Sequence, residues 1–97
     1  MKVIWSPLAI DRIAEIASYI AEDNPNAAEK WIHKIFTRTG QLACFSQSGH
    51  NILETLRKDI RELIFGNYRI IYRVDLRHVS ILTVRNTKQV LPLEDLK

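Results

Sequence analysis

Arg61-Glu-Leu-Ile-Phe-Gly-Asn-Tyr-Arg-Ile-Ile-Tyr-Arg-Val74 is the stretch that decides the fold. Two runs rich in β-branched and aromatic residues flank Gly66-Asn67, a pair suited to a two-residue hairpin loop. With that turn, Phe65 faces Tyr68, Leu63 faces Ile70 and Arg61 faces Tyr72. This mostly aromatic and aliphatic set is the expected core side. Ile64 then faces Arg69, Glu62 faces Ile71 and Ile60 faces Arg73. Glu62 lies diagonal to both Arg69 and Arg73, within reach of long side chains, and this second face is expected to be a solvated, salt-bridged one. Such exposed pairs contribute only about 0–1 kcal/mol each. Stability alone is therefore a weak reason for three arginines in one hairpin.

Outward from the hairpin, strands are predicted at about Asp59–Phe65, Tyr68–Asp75 and His78–Arg85, with Leu76-Arg77 in the second turn. The segment 52–58 is ambiguous, and Ser46 to Asn51 reads as a loop. Upstream, Lys2 to Trp5 reads as a short strand ended by Ser6-Pro7, a helix cap followed by a first helical residue. Ala9, Ile13, Ile16, Ala17 and Ile20 recur at helical spacing, and Asp11 and Glu15 fall early enough to suit the helix dipole. Asp23-Asn24-Pro25 repeats the punctuation, because the residue before a proline leaves the helical region. A second helix is predicted from Pro25 to about Phe45, weakened at Gly40. Its buried stripe is Ala28, Trp31 or Ile32, Ile35, Thr39 and Leu42. The tail after Val90 reads as a strand, then one helical turn past Pro92. A strand, a tight helical hairpin and a three-stranded meander predict an α+β domain with helices on one sheet face and the first strand at the edge.

The 97 residues suit one domain, 1–97, with a modest core. A single cysteine, Cys44, excludes an internal disulfide framework and suits a reducing cytoplasm. Neither a secretion signal nor a membrane-length apolar run is visible. The net charge of +3 is uneven. Residues 57–88 hold eight basic and three acidic residues, and residues 1–56 hold five and six. Such a basic half suits an anionic partner, nucleic acid or acidic protein. Histidines 33, 50 and 78 lack metal-ligand spacing, so no metal or cofactor is expected. Cys44, Trp5, Tyr68 and Tyr72 read as packing residues.

WSPLAIDRIAEIASYIAEDNPNAAEKW near the start, RELIFGNYRIIYRV, and VSILTVRNTKQVLP resemble, in this order, the RelE/ParE superfamily of small toxins of type II toxin–antitoxin systems. The resemblance spans nearly the whole chain, and the DNP-x-AA helix junction and the REL-x-x-G-x-YR hairpin carry most of its specificity. It implies a helical hairpin on a twisted antiparallel sheet. It also implies a cognate antitoxin whose disordered segment folds as it wraps the toxin.

The superfamily divides by target: RelE-like members cut mRNA on the ribosome, and ParE-like members poison DNA gyrase. Cleaving RNA needs a base, an acid and cations for the phosphate. Arg61, Arg69 and Arg85 supply cations. The histidine or tyrosine that family nucleases carry after the last strand is missing, and Asn86, which cannot titrate, stands where related sequences often show histidine. Glu54 or Glu62 is a possible base. The incomplete set favours a ParE-like gyrase inhibitor that breaks no bond itself. On that reading Arg61, Arg69, Arg85 and Lys88 contact the target, and Tyr19, Trp31 and Arg73 contact the antitoxin. A ribosome-dependent mRNA endonuclease is the alternative, with the ribosome and its mRNA as partners. A third reading is a non-toxic module on operator DNA, for which the antitoxin must supply sequence specificity because no base-reading helix is visible.

Overall fold

The computed structural model describes residues 1–89 and 91–96. Strand β1 (Lys2–Trp5) leads into helix α1 (Pro7–Asp23) and helix α2 (Pro25–Gly40). After these come β2 (His50–Asn51), β3 (Ile60–Phe65), β4 (Tyr68–Val74) and β5 (His78–Asn86). The five strands form one sheet in the order β1-β5-β4-β3-β2. Among the described residues only the β1–β5 pairing is parallel. The result is the expected α+β arrangement, with β1 at an edge.

Local chemistry sets the helix ends. The Ala9 N–H donates to Ser6 Oγ at 3.1 Å, and Ser6 Oγ donates to the Leu82 carbonyl at 2.9 Å, so this cap also ties α1 to the sheet. Asn24 serves both helices. Its N–H donates to the Ile20 carbonyl at 3.0 Å, closing α1, and its Oδ1 accepts from the Ala27 N–H at 3.1 Å, opening α2. Its extended backbone is the conformation that Pro25 imposes on the preceding residue.

Two sequence expectations shift here. The first turn of α1 carries no acidic residue, so Asp11 and Glu15 lie beyond the strongest part of the dipole. Helix α2 stops at Gly40 and tightens into a 3₁₀ turn at Gln41–Ala43, rather than running to Phe45. The cause is Gly40 itself, a poor helix former. Added bulk at Gly40 meets nothing within 4 Å, and its φ is −58°. Gly40→Ala is therefore expected to raise stability by about 0.4–1 kcal/mol, by restricting the unfolded chain. A urea titration checks this.

The β3–β4 register runs from Ile60 opposite Arg73 to Phe65 opposite Tyr68, as the hairpin sequence predicts. Gly66 takes φ +59°, the one left-handed position in this loop. One sheet face packs Leu63, Ile70, Tyr72, Val79, Ile81 and Val84 against Ala9, Ile13, Ile35 and Leu42. Ile81 and Val84 lie three residues apart, yet both reach this core. An unbroken strand of period two forbids that. A bulge permits it: Ile71 pairs with Thr83 and Tyr72 with Ile81, leaving Leu82 as the extra residue.

The second sheet face departs from the solvated surface read from the sequence. Ile60, Ile71 and Leu82 join Ile52, Leu91 and Leu96 in a second apolar cluster. The tail covers this end of the sheet, closing with a 3₁₀ turn at Leu93–Leu96 just past Pro92. The strand predicted from Val90 begins outside the described residues. The loop before β3 holds the short strand β2, which the sequence reading missed.

Candidate target and antitoxin surfaces

The three arginines of the hairpin have three different environments. Arg69 on β4 is gripped by two carboxylates. Its Nε donates to Glu62 at 2.6 Å, and its Nη1 and Nη2 donate to the two oxygens of Glu54 at 2.6 and 3.0 Å. Its side chain is only 11% exposed. The guanidinium holds the Glu54 carboxyl below its ordinary range, and the two carboxylates push the arginine further up. Glu54 comes from the segment 52–58 that the sequence left ambiguous, and this ion pair is one reason that segment closes onto the sheet.

Arg73 does not share Glu62, because Arg69 occupies it. The Arg73 Nε instead donates to Asp75 at 3.4 Å, and His78 Nε2 lies 3.1 Å from the same carboxylate. Arg61 points to the opposite face, beside Tyr72. Its Nη1 donates to the carbonyls of Gly49 at 2.6 Å and Gln47 at 3.3 Å. The Tyr72 hydroxyl donates to the Ser46 carbonyl and accepts from the Gly49 N–H, both at 2.9 Å. Burial pushes the Tyr72 phenol up. Arg61 and Tyr72 together clamp the 46–49 loop over the end of the main core.

Arg85 lies opposite Arg69 in the β4–β5 register. Its Nη1 is 3.8 Å from Asp95 of the tail turn, and its side chain is 18% exposed. It lines a cleft of about 510 Å³ with Arg12, Glu15, Tyr19, Tyr68 and Asn86. Lys88 follows in an exposed turn, its N–H donating to Asn86 Oδ1 at 2.9 Å. Of the four residues read as target contacts, Arg85 and Arg69 are cross-strand neighbours and Lys88 lies just beyond. Arg61 is on the other sheet face.

Of the residues read as antitoxin contacts, Tyr19 is 71% exposed and borders the Arg85 cleft. Trp31 is half-buried, with its ring 5.5 Å from Tyr68 and 6.2 Å from Phe65. Trp5 packs against Phe36 with the rings tilted and their centroids 4.9 Å apart. Arg73 belongs to the second sheet face, so the structure does not gather these three into one patch. Arg12 and Glu15, missed as site residues, form an ion pair at 3.3 Å in the cleft wall. The signal was available: residues 12, 15, 16 and 19 share one helix face. Among the described residues no cluster of histidine, cysteine and carboxylates has the makings of a metal site. Nor is any helix long and apolar enough to cross a membrane.

The sequence matches known proteins along most of its length. A relative described as "Putative toxin Y4kP", from Sinorhizobium fredii, is 36% identical over 93 residues, covering 94% of this chain and 93% of its own. A solved structure described as "Chromosomal ParDE TA system from P. aeruginosa" superposes with a TM-score of 0.72, covering 89% of this chain and 95% of its own. At 19% identity that likeness speaks for the fold alone. Residues 3–91 match the family described as ParE toxin of type II toxin–antitoxin system, parDE. With sheet order, helical hairpin and sequence in agreement, the chain belongs to the ParE toxin family.

Proposed function

We propose that this toxin inhibits DNA gyrase, arresting replication and growth in the cytoplasm, and that a cognate antitoxin neutralises it by folding onto its surface. The state of Arg69 carries the target assignment. A ribonuclease needs free cations at the phosphate, and two carboxylates already hold the hairpin arginine. Asn86 beside Arg85 adds no titratable group. A protein that works by binding needs no such set, only an exposed surface of matching chemistry. Lys88 and the Arg85 side of the cleft offer one. Tyr19 is the exposed aromatic best placed for an antitoxin, and Leu53, Leu56 and Leu93 add exposed apolar area suited to an amphipathic segment.

The cleft also favours a second reading. Arg12, Arg85, Glu15 and Tyr68 line one concavity, and ribosome-dependent mRNA cleavage would have to use it. Two assays on purified protein separate the readings: gyrase supercoiling with DNA-cleavage detection, and mRNA cleavage on ribosomes. Inhibited supercoiling, accumulated cleaved DNA and intact mRNA are expected. Cut mRNA with untouched gyrase would transfer the function to the cleft. Lys88→Ala, which removes an exposed side chain, is expected to weaken gyrase inhibition about two- to fivefold with no change in melting temperature, the range of one solvent-exposed charge contact.

A further inference from the structure

The sequence places the positive charge on residues 57–88, but in the folded chain half of the cations there are paired with carboxylates. Arg57, Arg69, Arg73 and Arg85 each reach a carboxylate, and Arg61 is bonded to backbone carbonyls. Among the described residues, Lys58, Arg77 and Lys88 stay exposed without a carboxylate but sit on separate turns, whereas an aligned set of unpaired cations lies on α2. On α2, Lys30, Lys34 and Arg38 follow one another at four-residue spacing and share a face. None of the three has a carboxylate within 4 Å among the described residues. Lys30 and Lys34 are exposed, and Arg38 is steadied by Gln41, whose Oε1 accepts from Nη1 at 3.1 Å. His33, Thr37 and Gln41 fill the spaces between them, and two shallow concavities run along this face. Glu29 lines one of these concavities.

From this arrangement we propose that the outer face of α2 is a docking surface for the phosphate backbone of duplex DNA. At about 1.5 Å per residue the three cations span roughly 12 Å. One DNA strand presents a phosphate about every 3.4 Å of axis, so the stripe faces about three or four of them. An acidic protein partner fits less well. Protein interfaces centre on desolvated aromatic or apolar anchors, with charge at the rim. Here the charge is central, Trp31 and Ile35 turn into the core, and Phe65 touches the face only at one end. The proposed contact is to phosphates, which carry no sequence information directly. DNA binding of this kind stands or falls independently of the gyrase assignment. If both hold, α2 touches the DNA segment that the enzyme has engaged.

The test is fluorescence anisotropy of the full-length protein with a labelled duplex of arbitrary sequence, from 50 to 200 mM salt. Three phosphate contacts predict a log–log salt slope of about −2.7, an affinity loss of about 40-fold over that range. Lys34→Ala should lower the slope by about 0.9, and the triple variant Lys30→Ala/Lys34→Ala/Arg38→Ala should bring it close to zero. The control is Lys2→Ala/Lys58→Ala/Arg77→Ala, which removes three exposed cations elsewhere. Both triple variants bring the formal net charge from +3 to zero, and circular dichroism confirms that each is folded. Retained binding in the control with loss in the α2 variant supports the proposal. Equal loss in both would reduce the effect to net charge and overturn it. No binding at 50 mM salt would do the same. Displacement of the duplex by a charge-matched poly-glutamate as readily as by unlabelled DNA would reassign the face to an acidic protein.

Discussion

Gly49→Ala is expected to cost about 3 kcal/mol and to lower the melting temperature by roughly 12–24 °C. A Cβ at this position would collide with the Glu62 carbonyl oxygen of β3, and would sit 2.5 Å from the Tyr72 hydroxyl and 2.8 Å from a Tyr72 ring carbon. Neither neighbour can yield easily. The carbonyl is backbone within the sheet. The Tyr72 ring is fully buried, and its hydroxyl is fixed by Ser46 and Gly49. Relief therefore requires the loop to lift. That breaks the Gly49–Tyr72 hydrogen bond and draws Arg61 off the Gly49 carbonyl. The expected loss is a large share of a small domain's stability. Thermal melts of Gly49→Ala and Gly40→Ala make the comparison, since the same added methyl meets open space at Gly40. Equal melting temperatures for the two variants would show that the 46–49 loop moves at little cost.

Gly49 also shows where reading the sequence stops. A glycine in a Ser/Gln/Asn stretch looks like any loop glycine, and its importance comes from Tyr72, 23 residues away. The hairpin was legible because turn chemistry and period-two patterning are local, and together they set all six β3–β4 pairs. The helix junction was legible because Asn24-Pro25 encodes both caps in two residues. The apolar second face was not. Its covering residues, Ile52, Leu91 and Leu96, lie outside the hairpin, and the Leu82 bulge shifts which β5 residues share a face. The environments of the arginines were legible only in part. A register predicts cross-strand neighbours, so Glu62 was found for Arg69. Glu54 reaches Arg69 from an irregular segment, which no periodicity predicts. The charge count is coarse for a related reason: it sums residues along the chain, whereas a partner meets only charge left unpaired at the surface, which within 57–88 includes Lys58, Arg77 and Lys88.

Arg69→Ala is expected to destabilise the protein by about 2–3 kcal/mol at pH 7, with a pH dependence that identifies the cause. The guanidinium is the common partner of Glu54 and Glu62, whose side chains are only 22% and 18% exposed. Without it, two partly buried carboxylates face each other uncompensated. Removing one partner of a buried pair costs about 3–5 kcal/mol, and the expectation lies lower here because solvent reaches one edge of Glu54. In the wild type the folded-state pKa of Glu54 lies below its ordinary value of 4.5. The stability from this ion pair is therefore fully present above about pH 4.5, and it is lost as the pH falls through the lowered folded value. In the variant Glu54 loses the guanidinium that holds its pKa down, so it takes up a proton more readily. The gap between the two proteins should thus be widest at neutral pH and should narrow on acidification toward pH 4. Urea titrations at pH 7, 5 and 4 read this directly. A gap of constant size would trace the loss to packing of the arginine stem rather than to charge. No gap at pH 7 would mean that the guanidinium is spare in the folded state. That outcome would return Arg69 to the target-facing role its sequence context implied, and would remove the main support for binding over RNA cleavage.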